Sequence, residues 1–368
     1  MGLGGLSDWW LGLRARLLSS PGFQRWAARF PLTKGVAERR AAALFDLCAG
    51  FVYSQVLAAA VELRLMEAVA PRPLSAEQLA PVLGLSREST QRLAEASRAL
   101  GLLERRSGGR YGLGIHGASY LGNPAVGAMV SHHAILYRDL ADPVSLLRRA
   151  SNDTHLSRFW PYTPASATGD AAAYSTLMAR SIELFAEAVL EAYRIDRHRV
   201  LLDVGGGEAA FLEQVGRKVD GLELWLYELA PVAERARGRL VASDLGHRSR
   251  VFSGDVFEEA LPRGADVLSL IRVLHDHDDD RALRILERAR AALEPGGRLL
   301  VAEPMAGAKG AAPMGAASFG FNLLAMGQGR PRTAKELTSL LLQAGFSHVE
   351  QRPTRRPILG QLLVATVR

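Results

Sequence analysis

The chain has 368 residues, of which 48% are hydrophobic and 23% charged, and this composition favours a folded protein of two domains. Its single cysteine, Cys48, excludes an internal disulfide and a metal site built from thiolates alone. Because Cys48 lies in the apolar run LFDLCAGFVYSQVL, we expect it to be buried, and an intracellular, reducing compartment fits. The sequence has no evident signal peptide and no continuous apolar run of about 18 residues, so it predicts no membrane-spanning helix.

The net charge of +7 and the isoelectric point of 9.8 raise the question of a nucleic-acid or membrane-surface partner. Most arginines are scattered along the chain, which is typical of solvated surface, but residues 1–37 differ. This segment interleaves aromatic residues with arginines: Trp9, Trp10, Trp26, Phe30, Arg14, Arg16, Arg25 and Arg29. The pattern predicts a basic amphipathic helix that lies either on an anionic membrane or against a partner subunit, and both alternatives stay open.

Residues 38–150 are predicted to be mostly helical and to form a winged helix. Two helix-start signals, the turn between them and a hairpin signal carry this prediction: Ser75, Ser86, Gly84 and Ser107–Gly109. A winged helix can bind DNA, and Arg87 and Arg92 flank its second helix. Fusion to a large second domain makes DNA binding less expected, and we predict no nucleic-acid partner.

Residues 151–198 are predicted to be a helical connector, and from residue 199 strands alternate with helices. The predicted strands are RVLLDV, LELWLYEL, RVFSGD, ADVLSLIRVL, GRLLVAEP and two adjacent ones in the final stretch SHVEQRPTRRPILGQLLVATVR. This alternation predicts an α/β domain, residues 199–368, with a parallel sheet covered on both faces. Because no helix separates the last two of the seven strands, we expect them to form an antiparallel hairpin.

The stretch VLLDVGGGEAAF predicts a tight turn between a strand and a helix, where a ligand can approach backbone N–H groups of Gly205 and Gly207. Asp203 precedes this turn, and Glu228 and Asp255 end the next two strands. Three carboxylates at one edge of the sheet would repel a pyrophosphate, but they suit a positively charged nucleoside. The sequence therefore predicts S-adenosylmethionine as the cofactor.

The motifs LLDVGGGEAAF, SGDVFE, RVLHDHDDDRALRIL and EPGGRLLVAEP resemble those of class I S-adenosylmethionine-dependent O-methyltransferases of the plant caffeate type and their bacterial relatives. The resemblance implies a Rossmann-like sheet and an N-terminal winged helix used for dimerisation. Further stretches, among them LSRFWPY and FGFNLLAMGQGRPRT, are similar to the bacterial carotenoid 1-hydroxyl methyltransferases, the demethylspheroidene or hydroxyneurosporene type. That narrower resemblance implies methylation of a tertiary alcohol in spheroidene or spirilloxanthin synthesis.

The resemblance also implies the residues of the site. His275 matches the catalytic base, and Glu303 matches a glutamate that orients it, whereas Pro331 stands where plant enzymes have a second flanking glutamate. We expect the base to titrate near neutral pH. The implied cofactor residues are Asp203, Gly205, Gly207, Glu228, Asp255, Val256 and Arg272. For the substrate, Met178, Ile182 and Phe185 match pocket-lining positions of the family. Further apolar surface is expected from Phe319, Phe321, Leu324 and Met326.

No metal is expected, because His275 and His277 would face opposite sides of an extended segment and Asp278–Asp280 suit a helix N-terminus. We expect a cytoplasmic homodimer with a hydrophobic carotenoid substrate and peripheral association with the photosynthetic membrane. Two other functions stay open at this stage. One is an O-methyltransferase of a small phenol or polyketide, and the other is a DNA-binding regulator that senses S-adenosylmethionine.

Overall fold

The computed structural model describes residues 3–148, 153–159, 182, 185–308, 313–355 and 360–368. The chain forms two compact units, Met1–Asn123 and Pro124–Arg368. The finer division at residues 37, 150 and 198 stays a prediction.

The smaller unit begins with three helices, α1 (Leu3–Ser19), α2 (Pro21–Arg29) and α3 (Pro31–Glu62). The predicted single basic helix is thus two helices, because Ser20 is extended, its hydroxyl accepts a hydrogen bond from the backbone N–H of Phe23, and Pro21 follows it. The remaining elements of this unit are the helices Leu65–Val69, Ala76–Leu83, Arg87–Ala99 and Ile115–Leu121 and the strands β1 (Leu103–Arg106) and β2 (Arg110–Leu113).

The predicted helix–turn–helix and hairpin are present. Ser75 caps one helix in a capping box with Gln78, Ser86 caps the next, and Gly84 joins them with a φ of +65°. β1 and β2 pair antiparallel around Gly108, which has a φ of +71°. The helix-start and turn signals were therefore sufficient to predict this part of the chain.

Helix α3 exposes most of its length within one chain. Its buried residue is Ala60, whereas Leu47 is 81% and Phe51 73% exposed. Cys48 is exposed as well, so the expectation that it is buried was wrong for the single chain. α3 is also long and apolar enough to cross a membrane, with a mean hydropathy of 1.7 over 18 residues, which the search for uninterrupted apolar runs missed.

The larger unit contains a seven-stranded sheet in the order β5-β4-β3-β6-β7-β9-β8. Its strands are β3 (Val200–Val204), β4 (Glu223–Glu228), β5 (Ser249–Ser253), β6 (Val267–Ile271), β7 (Arg298–Glu303), β8 (His348–Arg352) and β9 (Gln361–Thr366). β3 to β7 pair in parallel, and β9 runs antiparallel to both β7 and β8. The predicted fold class and the terminal hairpin are confirmed.

Helices accompany the sheet along the chain. Among the described residues, the α-helices with defined bounds are Pro124–Asp139, Pro143–Arg148, His155–Phe159, Ala210–Lys218, Ala230–Ala242, Asp279–Ala292, Gly320–Met326 and Ala334–Gln343. Residues 185–192 are also helical, and Pro313–Phe319 is π-helical. Two buried apolar clusters contain side chains from the same central strands, as in a sheet covered on both faces. The order of the strands reverses between β3 and β6, so a crevice at their carboxyl ends is the expected binding position.

Candidate active site

The turn after β3 contains three glycines with different reasons for lacking a side chain. Gly205 and Gly207 adopt φ values of +69° and +57°, which favour glycine. A Cβ on Gly206 would lie 2.1 Å from Oδ2 of Asp203, so this glycine makes room for the chain's own carboxylate. No atom of the described residues lies within 4 Å of a Cβ built on Gly207, so these residues leave room for a ligand beside its backbone.

Ala209 follows the glycine turn and also has a left-handed conformation, with a φ of +62°. It is the residue before the helix Ala210–Lys218 and is fully buried. A left-handed alanine is strained by about 1–2 kcal/mol, because its Cβ approaches the next carbonyl oxygen. This strain lies directly beside the candidate ligand site.

Asp203 is fully buried at the end of β3 and is only partly satisfied. Its Oδ1 accepts a 2.6 Å hydrogen bond from the hydroxyl of Ser269, whereas its Oδ2 has no hydrogen-bond partner within the described residues. Burial raises the pKa of Asp203 to about 7, and the charge of Glu228 adds to the increase, against the hydrogen bond from Ser269. A hydrogen-bond donor or a cation at the glycine turn would satisfy this orphaned oxygen, so the residues present fit a cationic nucleoside.

Two further acids lie at the same edge of the sheet. Glu228 ends β4 and is buried, and its Oε1 accepts a hydrogen bond of 3.2 Å from the N–H of Gly207. The N–H of Gly254 donates to the Glu228 carbonyl, and Asp255 Oδ1 accepts from Phe257. The structure therefore brings Glu228 against the glycine turn and places Asp255 on the loop beside it, with half-buried Val256 next in the chain.

Arg272 directly follows β6 and has a φ of +59°, which is unusual for a residue other than glycine. Its N–H donates a 2.8 Å hydrogen bond to the carbonyl of Ala302, and this bond to β7 holds the strained backbone. Its guanidinium carbon lies 5.4 Å from the centre of the Phe185 ring. Strained backbone of this kind clusters at binding sites.

His275 and Glu303 are in direct contact. Oε1 of Glu303 accepts hydrogen bonds from the N–H groups of Val273 and Leu274, at 3.0 and 2.7 Å, and its Oε2 pairs with Nδ1 of His275. These bonds fold residues Leu274–Asp276 into a single 3₁₀ turn instead of the expected extended segment. A carboxylate at the end of β7 thus fixes both the backbone and the ring of the histidine.

A second carboxylate, that of Asp276, lies beside His275, and no sequence pattern indicated it. Its Oδ1 lies 3.1 Å from Nε2 of His275, an ion-pair distance, although no hydrogen bond to this oxygen is aligned within the described residues. Burial lowers the pKa of His275, but the charges of Asp276 and Glu303 outweigh it and raise the pKa to about 10. The expectation that the base titrates near neutral pH was therefore wrong for the free protein.

Residues Gly329–Arg332 pack against the 3₁₀ turn Leu274–Asp276 that contains His275. The N–H of Arg330 donates to the carbonyl of His275 at 3.0 Å, and Nη1 of buried Arg332 donates to that of Leu274 at 2.7 Å. A Cβ on Gly329 would lie 2.1 Å from the His275 carbonyl oxygen, so only glycine fits there. At the position of Pro331, where the plant enzymes have a second glutamate, the neighbouring residues of this chain instead hold the carbonyls of His275 and Leu274 by hydrogen bonds from Arg330 and Arg332.

The predicted substrate residues are in different environments. The ring of Phe319 meets that of His275 edge to face, with centroids 6.0 Å apart, while Phe321 is half-buried. Phe185 and Ile182 belong to one of the two apolar clusters that pack on the sheet. Leu324 and Met326 lie in a separate cluster with Leu136, Leu146 and Leu156. Met178 lies outside the described residues.

The acidic run HDHDDD has structural partners. Asp278 precedes the helix Asp279–Ala292, as predicted, and Asp279 pairs with both Arg330 and Arg332. The His277 ring stands edge to face on Phe257, with centroids 5.4 Å apart. The part of the chain that the structure describes contains no group of three metal-ligating side chains, and metal independence stays a prediction.

Comparison with known proteins agrees with this geometry. Residues 137–347 match the O-methyltransferase domain family, and residues 45–123 match the O-methyltransferase dimerisation domain. The chain is 43% identical to a demethylspheroidene O-methyltransferase of Cereibacter sphaeroides over 96% of this chain and 94% of the relative. It is 38% identical to the Rhodobacter capsulatus enzyme of the same name, over 92% and 85%.

Solved structures show the same fold. Human N-acetylserotonin methyltransferase in complex with SAM superposes with a TM-score of 0.73 at 25% identity, over 89% of this chain and 97% of that one. CalO1, a methyltransferase in calicheamicin biosynthesis with bound SAH, superposes with a TM-score of 0.76 at 26% identity, over 90% and 98%. The chain belongs to the S-adenosylmethionine-dependent O-methyltransferases that carry an N-terminal dimerisation domain.

Proposed function

We propose that the protein transfers the methyl group of S-adenosylmethionine to the tertiary 1-hydroxyl of an acyclic carotenoid of the demethylspheroidene or hydroxyneurosporene type. The observation that carries the proposal is the 43% identity to a demethylspheroidene O-methyltransferase over nearly the whole chain. The pair of carboxylates around His275, those of Glu303 and Asp276, supports it independently.

When bound, S-adenosylmethionine would supply an electrophilic methyl group on a positively charged sulfur: the substrate oxygen would bond to the methyl carbon as the carbon–sulfur bond breaks and S-adenosylhomocysteine leaves. His275 takes the hydroxyl proton on Nε2 while the new C–O bond forms. Oε2 of Glu303 accepts a hydrogen bond from Nδ1–H of His275 and so leaves Nε2 as the nitrogen that can take a proton. Asp276, 3.1 Å from Nε2, stabilises the imidazolium that results.

A tertiary aliphatic alcohol is a far weaker acid than a phenol and therefore needs a stronger base. Two carboxylates raise the pKa of His275 to about 10, well above the ordinary 6.5, and a stronger base removes a proton from a weak acid more readily. Asp276 thus supplies the second flanking acid that Pro331 does not. The geometry around the histidine suits an unactivated hydroxyl group.

The cosubstrate would be held at the carboxyl edge of the sheet. The turn of Gly205 and Gly207, with open space beside Gly207, would let the cosubstrate approach the backbone closely, and the unsatisfied oxygen of Asp203 suits its positive charge. Glu228 is the acid for its ribose hydroxyls. Arg272 and Asp255, both on the loops of this edge, complete the proposed cosubstrate site.

The protein acts as a homodimer in this proposal, because residues 45–123 match a dimerisation domain and α3 leaves apolar side chains exposed in one chain. No nucleic-acid partner is part of the proposal, and Arg87 and Arg92 of the winged helix each pair with a glutamate. An intracellular, reducing compartment is part of the proposal, given the lone exposed Cys48.

Methyl transfer from labelled S-adenosylmethionine tests the proposal. The protein is offered 1-hydroxyneurosporene or demethylspheroidene in detergent micelles, and caffeate in parallel, as wild type and as His275→Ala. Label in the carotenoid alone, reduced at least about 100-fold in the variant, supports both substrate and base.

Binding of S-adenosylmethionine by the same samples serves as the control for folding. Label in caffeate but not in the carotenoid would overturn the substrate assignment in favour of a small phenol. Label in neither acceptor, with the cosubstrate still bound, would also reject the carotenoid.

A further inference from the structure

The surface formed by helices α1 and α2, here the N-terminal surface, combines exposed aromatic rings with arginines. In α1, Trp10 and Leu17 are seven residues apart and so share a face, and Arg14 lies between them on that face. All three side chains are exposed, and neighbouring Trp9 is 65% exposed. An apolar stripe with a cation inside it is therefore open to solvent.

Helix α2 extends the same chemistry. Its buried residue is Ala27, while Trp26 is 51% exposed and stacks on Phe30, with centroids 5.0 Å apart. Arg25 and Arg29, one helical turn apart, are exposed beside these rings. Aromatic rings with long basic side chains beside them are characteristic of helices that lie at the headgroup level of a bilayer.

The charge of this segment is concentrated and uncompensated. Residues 1–40 contain seven basic and two acidic residues, a net charge of +5 out of +7 for the whole chain. No acidic side chain of the described residues pairs with Arg14, Arg16, Arg25 or Arg29, and the ion pair in this segment is the exposed one between Lys34 and Glu38. The exposed arginines of the winged helix, in contrast, include pairs with glutamates, such as Arg87 with Glu77.

A second copy of the chain is the competing occupant. The match to the dimerisation domain begins only at residue 45, after α1 and α2. A symmetric contact through the N-terminal surface would also bring arginines against arginines, which is unfavourable. The arginines of the N-terminal surface, which are unpaired within the described residues, therefore favour an anionic partner, and the exposed aromatic rings of this surface favour one with an apolar interior.

We propose that the N-terminal surface docks the protein onto an anionic lipid bilayer, with the tryptophans of α1 and α2 at the headgroup level and the arginines on the lipid phosphates. This docking does not depend on the substrate, although it would bring the site to a membrane in which a carotenoid dissolves. The attachment is peripheral and reversible, because it rests on interfacial rings and on charge.

Co-sedimentation of the full chain with vesicles tests this. Anionic vesicles, made of phosphatidylcholine with about 30% phosphatidylglycerol, are compared with vesicles of pure phosphatidylcholine. Each comparison is made at about 0.1 M and about 0.5 M salt. We expect binding to the anionic vesicles only, a strong decrease at high salt, and a blue shift of tryptophan fluorescence on binding. Replacing the four arginines 14, 16, 25 and 29 by glutamine should weaken binding at least about 100-fold, given about fivefold for each.

The matched control replaces four other exposed arginines, Arg87, Arg92, Arg106 and Arg110, by glutamine, which changes the net charge equally. It should retain vesicle binding to within a few fold, and both variants should bind S-adenosylmethionine like wild type. If both variants lost vesicle binding equally, net charge alone would explain the binding, and the proposal would be overturned. Wild type that does not sediment with anionic vesicles, or an N-terminal variant that loses its dimer, would overturn it as well.

Discussion

The most direct test of the site is the exchange Asp276→Asn, which removes one of two carboxylates beside His275 and keeps the side chain's size. The carboxylate lies 3.1 Å from Nε2, and the two acids together raise the pKa of His275 to about 10. Loss of a negative charge at this distance destabilises the imidazolium. We therefore expect the pKa of the histidine to fall by about one to three pH units.

The assay is the pH dependence of kcat/KM for S-adenosylmethionine, which reports the pKa values of the free enzyme. Because the base must be unprotonated, the wild-type rate should rise with pH into the alkaline range, with a midpoint near 10. In Asp276→Asn the midpoint should lie at lower pH, whereas the plateau rate should decrease because the weaker base assists the transfer less. Asp280→Asn, which removes an exposed charge four residues on, should leave the midpoint in place.

A structural role of Asp276 alone would lower the rate at every pH without moving the midpoint. Equal midpoints in the wild type and in Asp276→Asn would therefore refute the reasoning, whatever the change in rate. So would a wild-type midpoint near 6.5, because it would mean that the two carboxylates leave the histidine unperturbed.

Three further predictions follow from the structure. Ala209→Gly should change the free energy of unfolding by less than about 1 kcal/mol in urea titrations, because relief of the left-handed alanine (about 1–2 kcal/mol) offsets the lost buried methyl group and the added unfolded-chain entropy. A loss of about 1.5 kcal/mol or more, which is the full cost without this relief, would contradict the strain. Phe51→Glu should halve the mass measured by light scattering, since it puts a charge on the exposed apolar face of α3; an unchanged dimer would place the interface elsewhere. The affinity for S-adenosylmethionine, measured by calorimetry, should increase between about pH 5.5 and 7.5, because Asp203 ionises around its raised pKa of about 7. Methylthioadenosine lacks the positive charge of the sulfonium, so its affinity should not change over this pH range.

Much of the larger unit could be predicted from local patterns. Apolar runs separated by amphipathic helices indicated a parallel sheet, and the rule that parallel strands end at one edge brought Asp203, Glu228 and Asp255 together. The position of β9 between β7 and β8 was not predictable in this way. It depends on the antiparallel pairing of Arg298–Glu303 with Gln361–Thr366, which no local signal encodes.

The role of Asp276 was missed because the local pattern pointed elsewhere. In HDHDDD the last three acids do begin a helix, and the preceding residues looked extended. The 3₁₀ turn that brings Asp276 to the ring depends on Glu303, whose carboxylate holds the N–H groups of Val273 and Leu274 from about thirty positions away. Only the folded sheet brings these residues together.

In helix α3 the sequence predicted a buried residue that the structure exposes. Its apolar run predicted burial of Cys48, but the structure of one chain leaves that face open. Hydrophobic composition indicates that a surface will be covered and does not say by which chain. The match of residues 45–123 to a dimerisation domain supplies the missing information: it includes the second half of α3, whereas α1 and α2 lie outside it.

The two perturbed groups of the site also bear on each other. Asp203 has a pKa of about 7 because it is buried, and His275 has one of about 10 because two acids surround it, and both lie at the carboxyl edge of one sheet. A positive charge bound at this edge favours the ionised form of Asp203 and disfavours the imidazolium of His275, so it lowers both pKa values. Each group then releases its proton more readily when a sulfonium is present than in the free enzyme. In the proposed reaction, the two acids therefore favour the protonated form of His275 in the free enzyme, and a bound methyl donor would favour the release of this proton.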